Sequence, residues 1–163
     1  MSPRAAARLE ALGFARVHDY VAGQADWGAF GLPLAGERGS ETRVGAYLRD
    51  DMPTCTLDEQ LSTVRGRVSA SAYDICFVVD DKRVLLGLLG RRALASDSDG
   101  AVETVMTAGP GTVRPSLAVD DARERMRRRD LSLLPVTRSD GVLMGVLRRV
   151  DFADATSSTR PAR

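Results

Sequence analysis

The chain has 163 residues, 44% hydrophobic and 28% charged, a length that accommodates one ordinary domain or two very small ones. Lys and Arg (23) balance Asp and Glu (22), leaving a net charge of +1 that argues against nucleic acid or an anionic membrane as the main partner. A chain of this size needs no disulfide or metal for stability, and Cys55 and Cys76, far apart and without CxxC spacing, predict neither a zinc site nor a redox dithiol.

The chain opens with MSPRAAARLEALGF, a short predicted helix with Ser2 as cap, Pro3 at the first helical position, and Leu9 and Leu12 on one face. It lacks the apolar stretch of a secretory signal, and no apolar run reaches the ~18 residues of a membrane span, so the expected compartment is the cytoplasm. Residues 11–36 then read as a helix end, a short strand over ARVHDY (15–20), and a helix through Trp27 closed by Gly31 and Pro33. The pattern GF-x-x-V-x-D-Y-x-x-G followed by a Trp helix and a GLP turn resembles the C-terminal tail of a rhodanese. That family transfers sulfur through an upstream cysteine, and none precedes this segment, so sulfur transfer is not expected. His18 is a lone histidine, read as packed or half exposed. The apolar residues Leu12, Phe14, Val17, Tyr20, Trp27, Phe30 and Leu32 are too few for a core of their own and are expected to cover the rest of the chain or a partner subunit.

Beyond this extension (1–36) and a polar linker (37–43), a repeat organises the chain. A shift of 58 residues superposes Val44–Leu94 on Val102–Phe152 without a gap, with identities that include Val44/Val102, Arg67/Arg125, Val78/Val136, Gly87/Gly145 and Leu89/Leu147. Copy one (44–95) and copy two (102–153) are joined by a short linker (96–101), and a polar tail (154–163) follows. In copy two, VETVM (102–106) reads as a short helical approach and Thr112-Val113 as a brief extended segment. A helix is expected over Ser116–Arg129, with Leu117, Ala118, Ala122 and Met126 on its apolar side, acids early and arginines late. Strands follow at 131–136 and 142–147 around a TRSDG turn, and a helix starts near Arg149. Each copy is thus β-α-β-β-α. Neither has enough core to stand alone, and both are expected to close a single shared one. The cysteines align with Val113 and Leu134 and so read as small buried hydrophobes.

This α/β (α+β) arrangement resembles the CBS domain, whose tandem pairs form a flattened Bateman module. The residues that carry the resemblance are the VETVM opening, TVRP, the LLPV strand and SDGVLMGVLRRVDF, with a looser match in copy one. The resemblance implies a non-catalytic regulatory or sensing module, a homodimer, and an adenosyl nucleotide (AMP, ADP, ATP or S-adenosylmethionine) in the cleft between copies. No required cofactor, metal, nucleic acid or membrane partner is expected.

The family's ligand signature is Gly-h-x-Thr/Ser-x-x-Asp. A hydroxyl at the helix start can cap amides and touch phosphate, and an acid three residues on can accept both ribose hydroxyls. Copy two reads Gly145-Val146-Leu147-Arg148-Arg149-Val150-Asp151, with an arginine in place of the hydroxyl. Copy one reads Gly87 to Ala93 with neither hydroxyl nor carboxylate. One site at most is therefore expected, near copy two. Resemblance puts adenine against Thr112, Val113, Leu134 and Pro135, Asp151 on the ribose, and Arg148 near phosphate. An acid in the first turn of a helix also serves the dipole alone, and a ligand-free pair acting as a dimerisation or partner-binding scaffold stays open as the second reading. The run RERMRRR (123–129) reads as a solvated face, because acids precede it and no aromatic rings interleave with it.

Overall fold

A computed structural model describes residues 2–18, 23–30, 32–33, 42–97 and 99–152. The polar tail, most of the first linker and the last two positions of the strand expected at 15–20 lie outside these residues. Helix α1 spans Ser2–Ala11, and its exit is set by Gly13 at φ 91°. The Gly13 amide bonds Glu10 O and the Phe14 amide bonds Leu9 O, a left-handed cap that satisfies the last carbonyls. Residues 15–18 form no strand. Helix α2 (Gly23–Ala29) follows, and the Trp27 indole donates to the Pro33 carbonyl at 2.8 Å. The Arg138 guanidinium lies 5.3 Å from the centre of the Phe30 ring, which ties the extension to copy two. Leu12 (60%) and Phe14 (59%) remain exposed.

Copy one opens on a 3-10 turn (Val44–Tyr47) and continues through β1 (Thr54–Cys55), α3 (Leu61–Ser69), β2 (Cys76–Val79), β3 (Leu85–Leu89) and a single helical turn α4 (Arg91–Leu94). Copy two follows with a 3-10 turn (Val102–Thr104), β4 (Thr107–Ala108, at the place of Arg49–Asp50), α5 (Val119–Arg128), β5 (Leu133–Thr137), β6 (Leu143–Arg148) and a 3-10 turn (Arg149–Phe152), and the place of β1 is taken by a single parallel bridge from Val113 to Val136. Helix α5 starts three residues later than its periodicity suggests. Ala118 is extended and pairs with Arg43, so its backbone serves a bridge between copies before the helix can begin.

That bridge belongs to a set of exchanges. Arg43 pairs with Ala118, and its counterpart Ala101 pairs with Gln60. The Val44 amide donates to Leu117 O at 2.9 Å, and the Val102 amide to Glu59 O at 3.0 Å. Strand β4 of copy two pairs antiparallel with β3 of copy one, and Arg49 of copy one pairs with Val146 of β6. Each copy therefore lays its opening segment on the other. At the far end the hairpins meet symmetrically, the Leu85 amide bonding Gly141 O and the Leu143 amide bonding Arg83 O.

The exchange governs the packing. Under α5 lie Val113, Val119, Ala122, Met126, Leu134, Val136 and Leu147, and the residue that closes this core is Val44 of copy one. Under α3 lie Cys55, Leu61, Val64, Val68, Cys76, Val78 and Leu89, closed by Val102 of copy two. Every position of one core has its counterpart 58 residues away in the other. The single shared core expected from the repeat is instead two cores. A third apolar layer, Met52, Tyr73, Phe77, Val79, Leu143 and Val146, draws on both copies. Strand alternation explains the division, since Cys76 and Val78 face α3 while Phe77 and Val79 face the shared layer.

Candidate functional site

The register of the second hairpin builds the most polar cluster between the copies. Leu133 pairs with Arg148 at the end of β6, and the 3-10 turn that follows carries Asp151 back over it. Arg148 grips the carboxylate with two nitrogens, at 3.0 and 3.3 Å. Arg49 reaches the same carboxylate at 3.3 Å, because its pairing with Val146 brings copy one's opening beside β6. The Asp151 side chain is 13% exposed, and the Arg148 hydrogen bond, more than any other influence, holds its carboxyl below the usual range. Beside it the Tyr73 hydroxyl donates to Asp51, and the Arg148 guanidinium lies 6.0 Å from the Tyr73 ring centre. Burial, reinforced by Asp51, pushes the Tyr73 phenol up to about 12.

Of these groups Tyr73 and Arg148 line a groove of about 480 Å³, whose walls also include Asp74, Arg91, Ser132, Leu133 and Val150. Such a volume suits a small ligand. A carboxylate accepts, an arginine fork binds a phosphate or another carboxylate, and Leu133 and Val150 supply apolar surface.

Of the residues singled out from sequence, Arg148 and Asp151 meet directly. Val113 (5% exposed) and Leu134 (1%) lie in the core under α5. Pro135 is buried on the opposite side of β5, the side of Leu133. Thr112 accepts a hydrogen bond from the Thr137 hydroxyl at 3.1 Å, towards the end of β5 remote from Arg148. Arg49, Asp51 and Tyr73 were not legible as site residues, since they come from copy one and match no ligand pattern. The available signal was a departure from the repeat: their counterparts are Thr107, Gly109 and Leu131.

The fold is that of a CBS pair, and comparison with known proteins agrees. Residues 102–158 match the family model of the CBS domain. CBSX2 in complex with AMP superposes with a TM-score of 0.63 at 22% identity, covering 71% of this chain and 96% of that one. The cytosolic domain of the Mg2+ channel MgtE in complex with ATP gives 0.64 at 21%, covering 72% and 51%. The CBS domain pair of protein MJ0100, in complex with 5-methylthioadenosine and S-adenosyl-L-methionine, gives 0.63 at 17%, covering 74% and 99%. Among curated relatives, inosine-5'-monophosphate dehydrogenase of Nitrosopumilus maritimus is 22% identical over 115 residues, 70% of this chain and 24% of the relative. The chain thus spans about a quarter of that enzyme's length.

Proposed function

We propose that the protein is a non-catalytic, cytoplasmic regulatory CBS pair that acts as a homodimer and binds one adenosyl nucleotide per chain in the groove beside Asp151. The observation that carries this reading is the Asp151 carboxylate, kept ionised between Arg49 and Arg148, the second of which lines a ligand-sized groove. AMP, ATP and S-adenosylmethionine, held by proteins of the same fold, are the ligand class it points to. In this reading Asp151 accepts the ribose hydroxyls, and Arg148 and Arg49 turn to the phosphate. The base lies against the side of β5 that carries Leu133 and Pro135, with Leu134, Val113 and Thr112 supporting the strand behind it.

A second reading, a ligand-free dimerisation or partner-binding scaffold, is favoured by the arginines that already occupy Asp151. Thermal-shift measurements with AMP, ADP, ATP, NAD and S-adenosylmethionine separate the two. A ligand at 100 times its Kd adds about 2.7 kcal/mol, and Asp151→Ala is expected to abolish the shift. No shift with any of the five supports the scaffold, and a shift that survives the substitution places the ligand elsewhere. Light scattering on the same samples tests the dimer.

A further inference from the structure

One arginine of the repeat is matched in copy one and unmatched in copy two. In copy one, Arg67 donates to both carboxylate oxygens of Glu59, at 2.6 and 3.3 Å, and to the Thr54 carbonyl. Glu59 is held in place by the Thr56 amide at 2.9 Å. Arg125 occupies the corresponding place on α5, but the counterpart of Glu59 is Leu117. The Arg125 Nε is buried without a hydrogen-bond partner among the described residues. A terminal nitrogen of its guanidinium reaches the loop at Gly111, 3.7 Å from where a Cβ on that residue would lie, much as Arg67 reaches back to Thr54. A buried guanidinium donor without an acceptor is costly, and an oxyanion that offers two oxygens, carboxylate or phosphoryl, is the group that fits its fork.

Arg125 opens onto a groove of about 610 Å³ lined by Leu117, Asp121, Glu124, Arg125, Arg128 and Arg129. Glu124 is already held by Arg127 and Arg128, at 2.6 and 3.5 Å. Asp121 is exposed and is the charge that opposes an anion. The groove is the size of a small-ligand site, and its acids disfavour an extended polyanion. It lies on α5 and shares no lining residue with the groove beside Asp151.

We propose that this groove binds a small-molecule oxyanion, carboxylate or phosphoryl, which occupies beside Arg125 the place that Glu59 occupies beside Arg67. The site makes copy two ligand-responsive where copy one is self-satisfied. It does not depend on the nucleotide reading.

The test is titration of the full chain with inorganic phosphate and, separately, with citrate, at constant ionic strength, followed by calorimetry and thermal shift. The expected result is saturable stabilisation by at least one of them, and the two arms distinguish a phosphoryl from a carboxylate ligand. Arg125→Gln is expected to weaken binding about tenfold or more, the worth of a charge-assisted hydrogen bond. Leu117→Glu installs the internal carboxylate of copy one and is expected to abolish the response. Asp121→Asn strengthens binding a few-fold, and Asp151→Ala leaves it unchanged. Equal responses from wild type and Arg125→Gln overturn the proposal, as does the absence of any saturable response to either anion. Leu117 packs partly on the core, so if Leu117→Glu does not fold, Arg125→Gln decides alone.

Discussion

Around Asp151, the last turn of copy two meets Arg49, Asp51 and Tyr73 of copy one. The pseudo-symmetric place, around Ala93, is supplied by Gly90, Thr107, Gly109 and Leu131. The backbone exchanges are the same at both places, yet at one a carboxylate is held between two arginines, and at the other none of these counterpart positions carries a charge. The cores under α3 and α5, by contrast, match position for position. The duplication thus keeps what the exchange of segments requires and lets the exposed ends of the strands diverge.

Gly87 and Gly145 show what the exchange requires. A Cβ on Gly145 would lie 2.5 Å from the Arg49 carbonyl oxygen, and one on Gly87 would lie 2.7 Å from Met106 Sδ and 2.9 Å from Thr107 O. The glycine of the family's ligand signature is here explained by a strand crossing over it, with no ligand needed. Gly145→Ala is expected to cost about 3 kcal/mol, the upper range for overpacking, and Gly87→Ala somewhat less, because the Met106 side chain can move and the backbone oxygen that remains, of Thr107, lies farther off than that of Arg49. Urea denaturation measures both, and equal costs would mean that the two crossings are not distinguished as described.

Val44→Ala and Val102→Ala should each cost about 2 kcal/mol through lost burial and the cavity left behind. The informative readout is where amide exchange accelerates. Val44→Ala is expected to loosen β5 and β6, and Val102→Ala to loosen β2 and β3. Acceleration confined to the copy that carries the substitution would contradict the swapped openings.

The smallest effect concerns Tyr73, whose counterpart Leu131 cannot titrate. Its phenol is expected to ionise near pH 12, against about 10 for a free tyrosine. Because the folded value is the higher one, the stability linked to the neutral phenol is complete below about pH 10 and is lost as pH rises through about 12. Phenolate absorbance should show this late component, absent in Tyr73→Phe. In Asp51→Asn it should move only part of the way back, since burial is the larger cause.

Much of the architecture was legible from the 58-residue offset, because apolar positions that recur at one spacing serve equivalent places in the two copies, although the offset pointed to one shared core where there are two. The offset could not reveal which copy a segment packs on. Val44 aligns with Val102 whether each closes its own core or the other's, and the amide bonds that decide it, Val44 to Leu117 and Val102 to Glu59, involve backbone alone. The same blindness hid Arg49 and Tyr73, which reach Asp151 and Arg148 only through the exchange. The pairing of Arg148 with Asp151 was within reach of sequence, being an i, i+3 contact across one turn.

The swapped openings bear on how the chain matures during synthesis. Copy one's α3, β2 and β3 emerge with their core still open, because the valine that closes it belongs to the next copy. Val44 is the first residue of either core to emerge and waits for β5 and β6, roughly a hundred residues later, before it is covered. Copy one's core can therefore close once the opening of copy two has emerged, whereas copy two's core and the shared layer are complete only when the last strand has left the ribosome.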